Sequence, residues 1–344
     1  MAGRSVFKLT RLFTNCTLNH LKPCVSVSQR GFKRHVSRTL RVLKERQEEY
    51  LENMDPKEKL ELERRSKFSE WNYSSEIYAF GKRLQEDFLP ELLVQAFTHR
   101  SYILQEELKL KEIGVEKTNV DLSDNEELVK EGEKIISDYT KRYVAYFFPR
   151  FPLEGINSIC EYLESDEVLA YISENLGTKF LILSSDYPVE QATFSKTLKA
   201  IIGALCKSQD EKRANIFVRD FIITHLAGKE IHDFLKIDNP VEVLNCILKK
   251  DGRKECEPRI IGKSATETIL ANYHVGMYSD KQMMGHSSGE TVDIAIEMAA
   301  VDALKRLFHT TDSHRPISYN LEELPAQVTN LKLSEWNLAA FEKK

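Results

Sequence analysis

The spacing of the apolar residues changes once along this chain, and that change constrains the fold more than any other feature of the sequence. From Trp71 to about Gly228 the apolar residues recur at steps of three and four, as they do on one face of an α-helix. After Asp238 one more helical pattern is followed by alternation of apolar with polar or small residues, which indicates β-strands. The sequence therefore predicts an α+β protein of two domains, a mainly α-helical one followed by a small α-β-β-β-α one.

Helices can be placed within the first domain. An apolar face extends from Ile77 to Phe88, and a second helical segment runs from Pro90, which suits the first turn of a helix, to Tyr102. Further helices are predicted at 125–146, 156–163, 166–175, 191–208 and 212–226. No strand is predicted before Gly228.

In the second domain, residues that start helices and form turns mark the bounds of the predicted elements. Asn239-Pro240 predicts a helix start at which the Asn side chain caps the first turn. A strand around Val275, a turn at 279–281 and a second strand from Met283 form a hairpin, and a helix from Glu290 to Phe308 completes the domain. In the tail that follows, the segment Leu333–Leu338 suggests a short docking helix.

The charge of the chain is unevenly distributed. Residues 1–44 contain ten Lys or Arg and no Asp or Glu, although the whole chain has a formal net charge of −4. A basic, acid-free amino terminus with Ser, Thr and apolar residues is typical of a mitochondrial transit peptide, which we place at residues 1–32. The alternative is a basic RNA-binding arm. Residues 33–70 read as a charged helical extension, either a solvated spacer or a partner-binding arm.

Two classes of protein are excluded by composition. No run of apolar residues approaches the roughly 18 that a membrane-spanning helix needs, so no membrane span is predicted. The six cysteines are scattered without a Cys-x-x-Cys pair, so they are interpreted as reduced thiols and not as zinc ligands.

Three motifs in the helical domain resemble those of ribonuclease III domains. Leu93–Tyr102 is similar to the family pattern Leu-x-x-Ala-Leu-Thr-His-Arg-Ser-Tyr. Residues 125–133 align with the signature Asn-Glu-Arg-Leu-Glu-Phe-Leu-Gly-Asp, and residues 196–204 with Asp-x-x-Glu-Ala-Leu-Ile-Gly-Ala. The segment 239–308 resembles the double-stranded-RNA-binding domain that follows such nuclease domains. We therefore predict a ribonuclease III-like domain at 71–228, a double-stranded-RNA-binding-type domain at 236–308 and a tail at 309–344.

The resemblance also implies where a catalytic metal would be bound. In these nucleases four carboxylates on two helices surround magnesium, which activates water and stabilises charge on the phosphate. The matching positions here are Val129, Glu133, Lys196 and Lys199, so one carboxylate remains and two ammonium groups replace anions. The prediction is a catalytically degenerate domain with no catalytic residue, no metal and no cofactor. The lysines are expected either to contact phosphate or to pair with Glu133 across the two helices.

Other candidate residues carry weaker signals. His99 lies in the Thr-His-Arg-Ser motif, but no Ser or Cys with a matching acid can be placed beside it, so catalysis by His99 is not expected. Asp166, Glu167 and Asp186 could in principle ligate a metal. In a chain with 53 acidic residues they are more simply interpreted as surface carboxylates.

The second domain departs from its family at the residues that hold RNA. Duplex-binding modules use a Lys-Lys-x-Ala-Lys run at the start of the last helix to span phosphates, and here that run is Val292–Ile296 with Asp293 in the second place. Basic residues remain nearby and could form a displaced RNA-binding edge or a solvated loop. They are Lys249, Lys250, Arg253, Lys254, Arg259 and Lys263.

One branch of this superfamily combines a presequence, acid-poor nuclease motifs and this second domain, namely a family of mitochondrial large-ribosomal-subunit proteins. From Trp71 to about Asn320 the chain resembles that family. The resemblance implies a structural role in the mitochondrial matrix, contacts with mitochondrial ribosomal RNA and neighbouring ribosomal proteins, and a possible homodimer or heterodimer through the nuclease-like domain. An active double-strand-specific endoribonuclease and a free mitochondrial RNA-processing or RNA-binding factor are the alternatives.

Overall fold

The computed structural model describes residues 41–46, 49, 71–114, 122–185, 187–311, 317, 319, 324 and 330–342. The chain divides into two compact units, residues 1–64 and 65–344. In the first unit, residues 41–46 are helical and exposed. The predicted transit peptide, most of the charged extension and Asp186 lie outside the described residues.

The helical domain opens the second unit. Its helices are α1 (Tyr73–Leu84), α2 (Pro90–Phe97), α3 (Arg100–Glu112), α4 (Glu126–Phe147), α5 (Leu153–Leu163), α6 (Asp166–Asn175), α7 (Gln191–Ser208) and α8 (Glu211–Phe221). A short 3-10 turn at Thr178–Phe180 lies between α6 and α7, and two more at Ile223–Leu226 and Ile231–Phe234 follow α8. The predicted bounds of α6 and α7 are confirmed at both ends.

Helix α7 lies at the centre of this domain. It contacts α2, α4, α6 and α8. Residues from Ala200 to Leu205 are all buried, so its middle is apolar on every side, as expected of a helix enclosed by others. The other helices pack around it with their apolar stripes inward.

The prediction of one helix from Pro90 to Tyr102 is wrong. The chain leaves the helical conformation at Thr98, with φ −90° and ψ 108°, and forms an isolated parallel bridge with Leu183. The amide of His99 donates to the Leu183 carbonyl at 2.9 Å, and the Leu183 amide donates to the Phe97 carbonyl at 2.9 Å. This pairing splits the segment into α2 and α3, and it also adds an extended contact where no strand was predicted.

A buried carboxylate ties α1 to α8. Glu86 follows the end of α1, and its side chain is only 6% exposed. Arg213 Nε donates to Glu86 Oε2 at 2.8 Å, and Gln209 Nε2 donates to the same oxygen at 3.3 Å. The charge of Glu86 is thus compensated within the fold.

The second domain has the predicted α-β-β-β-α order, with α9 (Pro240–Lys250), β1 (Glu257–Ser264), β2 (Asn272–Ser279), β3 (Gln282–Gly289) and α10 (Val292–Leu307). The strands form one antiparallel sheet in the order β1-β2-β3. Helix α10 approaches the sheet closely at two glycines. A Cβ atom at Gly285 would lie 2.4 Å from the Ala303 nitrogen, and one at Gly289 would lie 2.7 Å from the Ala295 nitrogen.

Two local predictions for this domain need correction. Asn239 precedes α9, but its side chain makes no hydrogen bond to a backbone N–H of the first turn; its amide donates to Glu242 at 3.4 Å. In the tail, Leu333–Leu338 is not an α-helix but a 3-10 turn at Leu333–Glu335. A four-residue helix, α11 (Ala339–Glu342), follows it.

The tail joins the two domains. Trp336 is completely buried, and its Nε1 donates to the Arg150 carbonyl at 2.7 Å. The ring centroid of Phe308, at the end of α10, lies 5.1 Å from that of Trp336 and 6.2 Å from that of Phe151 in the helical domain. A single apolar cluster thus contains residues from both domains and from the tail.

None of the helices in the described ranges is both long and apolar enough to cross a membrane.

Candidate functional site

The four positions expected to surround a metal lie where α4 crosses α7. The backbones of the two helices touch at this crossing, because each helix has a glycine there. A Cβ atom at Gly132 would lie 1.9 Å from the Lys199 carbonyl oxygen, and one at Gly203 would lie 2.3 Å from the Leu128 carbonyl oxygen. Side chains flanking the crossing are therefore close enough to share one site.

The remaining carboxylate is bound to a lysine. Lys199 Nζ lies 3.2 Å from Glu133 Oε1, so the helix-to-helix ion pair that was one of the two alternatives is confirmed for Lys199. The Lys199 side chain is 15% exposed and that of Glu133 is 57% exposed, which places the cation on the inner side of the pair. The Lys199 ammonium thus joins α7 to the Glu133 carboxylate of α4.

The side chains at the other two of the four positions, Val129 and Lys196, make no ion pair or hydrogen bond with those of Glu133 or Lys199. Val129 is partly buried and packs against the hydrophobic core. Lys196 is exposed and makes no ion pair with any residue that the structure describes. Among the described residues no group of three or more His, Cys, Asp or Glu side chains is arranged to hold a metal ion.

The structure adds charged groups to this site that the sequence did not single out. Glu164, at the end of α5, is partly buried, and burial raises its pKa, whereas a hydrogen bond from Ser137 and the charges of Lys141 and Lys199 act in the opposite direction. Glu133 and Glu164 thus lie close to two lysines, Lys141 and Lys199. Their proximity depends on how α4, α5 and α7 pack, which no local sequence signal encodes.

A second ion-pair cluster lies further along the same crossing. Lys207 Nζ is 2.9 Å from Glu127 Oε1 and 3.3 Å from Glu131 Oε2. A hydrogen bond from Lys207 lowers the pKa of the Glu127 carboxyl, and the same bond raises the pKa of Lys207. Lysines of α7 and glutamates of α4 thus link the two helices at two places along their length.

The weaker candidates have local structural roles. His99 precedes α3, and its Nδ1 accepts a hydrogen bond from the Ser101 amide at 3.3 Å. Asp166 accepts a hydrogen bond from Ser195 Oγ at 2.6 Å, which joins α6 to α7. Glu167 is exposed in the first turn of α6, where a negative charge is favourable.

The six basic residues predicted as an RNA-binding edge are only partly brought together. Lys254 and Arg259 line a depression at the end of the sheet where the β2–β3 turn lies. The other lining residues are Tyr278, Lys281 and the acids Glu255, Glu257 and Asp280. Arg259 Nη2 donates to Glu257 at 2.9 Å, and its guanidinium lies 5.5 Å from the Tyr278 ring centroid.

The remaining basic residues are spread around that depression. Lys249 and Lys250 form the last turn of α9, where Lys250 Nζ donates to the Ser334 carbonyl of the tail. Arg253 contacts the sulfur of Met284 at 3.8 Å, and Lys263 lies near the far end of β1. The candidates therefore form a broken basic edge whose charge is partly neutralised.

The start of α10 is a capped helix, but its side chains differ from those of the double-stranded-RNA-binding pattern. Thr291 caps the helix by accepting from the Ile294 amide at 3.3 Å. Ala295 is fully buried against the sheet, whereas Asp293 and Ile294 are exposed. The positions at which the family pattern has lysines hold Val292 and Ile296, which are partly buried, and the exposed Asp293.

A helical domain with these motifs at the α4–α7 crossing, followed by an α-β-β-β-α domain, defines a ribonuclease III-like protein with an appended double-stranded-RNA-binding-type domain. Residues 72–205 match the family model described as "Large ribosomal subunit protein mL44, endonuclease domain", and residues 235–341 match the model "MRPL44 dsRNA-binding domain". The chain belongs to the mL44 family.

Relatives agree with this assignment. The chain is 33% identical over 254 residues to the large ribosomal subunit protein mL44 of Caenorhabditis elegans, an alignment that covers 72% of this chain and 62% of the worm protein. The chain thus spans less than two thirds of that relative's length. It is 26% identical over 226 residues to Ribonuclease 3 of Enterococcus faecalis, covering 63% of this chain and 90% of that enzyme.

The nuclease domain of ribonuclease III from Campylobacter jejuni aligns with a TM-score of 0.36 at 20% identity, over 43% of this chain and 96% of that one. Dicer from Pichia stipitis aligns with a TM-score of 0.30 at 17% identity, over 53% of this chain and 87% of that one.

Proposed function

We propose that this chain is a structural constituent of the mitochondrial large ribosomal subunit, where it binds ribosomal RNA and neighbouring ribosomal proteins and no longer cleaves RNA. The observation that supports the loss of cleavage is the ion pair between Lys199 and Glu133, whose polar atoms lie 3.2 Å apart. Both residues are at positions that match metal-binding acids in the ribonuclease III pattern. Membership of the mL44 family supports the ribosomal role.

Electrostatics explain why the pair is incompatible with the nuclease reaction. A like charge at ~4 Å in an effective dielectric of ~20 opposes a cation by about 4 kcal/mol per unit of its charge. Magnesium prefers oxygen ligands in octahedral geometry, and Glu133 is the one carboxylate among the four family positions. Without the metal the site has no means of generating hydroxide or of stabilising charge on the attacked phosphate.

RNA contact is assigned to the second domain and its basic edge. The six candidates there are Lys249, Lys250, Arg253, Lys254, Arg259 and Lys263. Each Lys or Arg that neutralises a phosphate contributes about 0.9 to the slope of log affinity against log salt concentration. Replacing Lys249 and Lys254 with Ala should therefore reduce the salt slope for duplex RNA by about 2.

A ribosomal role in the mitochondrion also requires import of the chain and contacts with other subunits. Residues 1–32 act as the transit peptide that delivers the chain to the matrix, and residues 33–70 form a charged extension. The domains proposed are 71–228 and 236–308, with the tail at 309–344. Pairing through the nuclease-like domain, with a second copy or another degenerate member, is part of the proposal.

Sedimentation tests the ribosomal role. In a density gradient of mitochondrial lysate, the protein should co-migrate with the large subunit and remain with it in moderate salt. A free RNA-processing factor would instead sediment at low mass. The loss of cleavage is tested separately by incubating the purified chain with duplex RNA and magnesium. Magnesium-dependent cleavage that disappears in Glu133→Gln would contradict the proposal and identify an active nuclease.

A further inference from the structure

The two ends of the second domain differ in charge and hydrophobicity. The basic candidates, apart from Lys263, gather at the end that holds the β2–β3 turn. The opposite end consists of the β1–β2 loop, residues 265–271, and the first two turns of α10, and we call it the apolar end. Between residues 264 and 274, and between residues 289 and 298, the sequence contains no Lys or Arg.

Strand pairing places these two segments side by side. The last residue of β1, Ser264, pairs with the first of β2, Asn272, so the loop projects from this end of the sheet. Tyr273 pairs with Gly289, the last residue of β3. Helix α10 starts at once beyond Gly289 and packs its Ala295 nitrogen onto that glycine. The loop and the start of α10 therefore lie at the same end of the sheet.

The loop displays two large aliphatic side chains to solvent. Ile269 is fully exposed and Leu270 is 81% exposed. The turn that presents them is held by its own hydrogen bonds, since the Thr268 amide and hydroxyl both donate to the Ala265 carbonyl and the Ala271 amide donates to the Thr268 carbonyl at 3.1 Å. Exposed apolar side chains mark an interaction site when they are grouped into a patch, and these two adjacent residues provide one part of such a group.

Helix α10 adds two exposed apolar side chains at the same end of the domain. Ile294 and Met298 are four residues apart, lie on one face of the helix and are each about half exposed. Glutamates and an aspartate surround the aliphatic groups, and each of them is exposed and makes no ion pair with a described residue. They are Glu267, Glu290, Asp293 and Glu297.

We infer that the apolar end binds a neighbouring ribosomal protein through a segment that carries aliphatic side chains flanked by Lys or Arg. This inference rests on the proposed ribosomal role and names the partner of one of its surfaces. Binding would remove the exposed aliphatic surface from water, which is favourable. The four acids favour a partner with basic side chains. RNA is disfavoured here because the same acids repel phosphate and the surface has no lysine to displace counterions.

The inference assigns the two ends of the domain to two kinds of partner. In duplex-binding modules, the β1–β2 loop and the start of the last helix contact RNA. In this chain neither segment contains Lys or Arg, while basic residues are present at the other end of the sheet. RNA is therefore held at the basic edge, and a protein is held at the apolar end.

Photo-crosslinking in assembled large subunits tests the class of partner. The full chain is expressed in cells with a diazirine side chain in place of Leu270, large subunits are isolated on a gradient, and the adduct is digested with protease or ribonuclease. We expect a protease-sensitive adduct whose partner peptide contains aliphatic residues and has a net positive charge. An adduct to RNA, an acidic partner peptide, or no adduct would overturn the inference.

Variants test the chemistry of the surface. Ile269→Asp with Leu270→Asp removes the aliphatic contact, and Asp293→Lys with Glu297→Lys reverses the charge. Each pair should reduce the fraction of chain retained on large subunits in moderate salt at least fivefold. Ile113→Asp is the matched control, because Ile113 is an aliphatic residue 75% exposed after α3, and its retention should stay within twofold of wild type. Unchanged retention of both double variants would contradict the inference.

Wild-type sedimentation separates the two failures. If the wild-type chain stays at low mass, the ribosomal role fails. The crosslink at position 270 then reports, in that fraction, which class of macromolecule covers the apolar end. If the wild type co-migrates with the large subunit but Leu270 crosslinks to RNA, the ribosomal role stands and the inference alone is wrong.

Discussion

Gly132→Ala provides a sharp test of how the helical domain is held together. The added Cβ atom would lie 1.9 Å from the Lys199 carbonyl oxygen and 2.7 Å from its carbonyl carbon. Both atoms belong to the backbone of α7, so no side-chain rotation can relieve the clash. Helices α4 and α7 would have to separate by about 1 Å within a close-packed interior.

The magnitude follows from two opposing terms. Replacing Gly with Ala within a helix stabilises it by about 0.5–1 kcal/mol through the lower entropy of the unfolded chain. Overpacking a core costs about 1–3 kcal/mol and more when the backbone must move. The close approach should dominate, so we expect a net loss of about 2 kcal/mol in the free energy of unfolding, equivalent to about 4–8 °C in Tm for a domain of this size.

The assay is thermal and urea unfolding of the full chain, followed by far-ultraviolet circular dichroism. Gly81→Ala in α1 is the matched control, because a Cβ atom there would meet its nearest neighbours at 3.5 Å, an ordinary contact distance. It should be neutral or slightly stabilising. Gly203→Ala should resemble Gly132→Ala, and the double variant should lose less than the sum, since one separation of the helices relieves both clashes. If Gly132→Ala unfolds with the wild type, our account of the crossing is refuted.

Three further outcomes are expected. Trp336→Ala should lower the free energy of unfolding in urea by about 3–5 kcal/mol, because it empties a fully buried indole site, whereas Trp336→Phe should cost less. Arg213→Met should cost about 2 kcal/mol by leaving the buried Glu86 carboxylate without its cation, and adding Glu86→Gln should restore part of that loss in the same assay. Burial lowers the pKa of His232 to about 4. Between pH 6.5 and 4 the folded state therefore binds fewer protons than the unfolded state. The free energy of unfolding should fall by up to about 3 kcal/mol as the pH drops through that window. His232→Phe should remove that part of the pH dependence, and an unchanged dependence in this variant would contradict the assignment.

Local periodicity predicted much of this fold. The bounds of α6 and α7 and the order of elements in the second domain follow from spacing, caps and turn residues that act within a few positions. The pairing of Lys199 with Glu133 was also within reach, because family motifs place both residues at one crossing. Such signals succeed where the local preference and the tertiary environment agree.

The errors occur where distant contacts decide the local conformation. The helix break at Thr98 depends on a bridge to Leu183, which lies far along the sequence. Strand β1 was not located in the sequence because it is an edge strand with a register shift between Ile260 and Gly262, so its residues are mostly exposed and do not alternate. No propensity within these segments signals either feature.

The charged groups around the α4–α7 crossing could likewise not be predicted from the sequence. Glu127 and Glu131 are four residues apart and face one side of α4, which a helical projection could indicate. Their partner Lys207 is on another helix, so the pairing requires the orientation of α4 against α7. Glu164 enters the site only through the packing of α5, and the contact at Gly132 is invisible until both backbones are placed.

The shared cluster of Phe151, Phe308 and Trp336 gives the molecule a property that two domains on a flexible linker lack. Because this cluster fixes the orientation of one domain against the other, surfaces on the two domains stay at a constant separation and angle. A partner that binds both surfaces finds them already held in one relative orientation. Its second contact therefore forms without a further loss of orientational entropy. Loosening the cluster would therefore weaken simultaneous engagement of both surfaces while leaving each single contact intact.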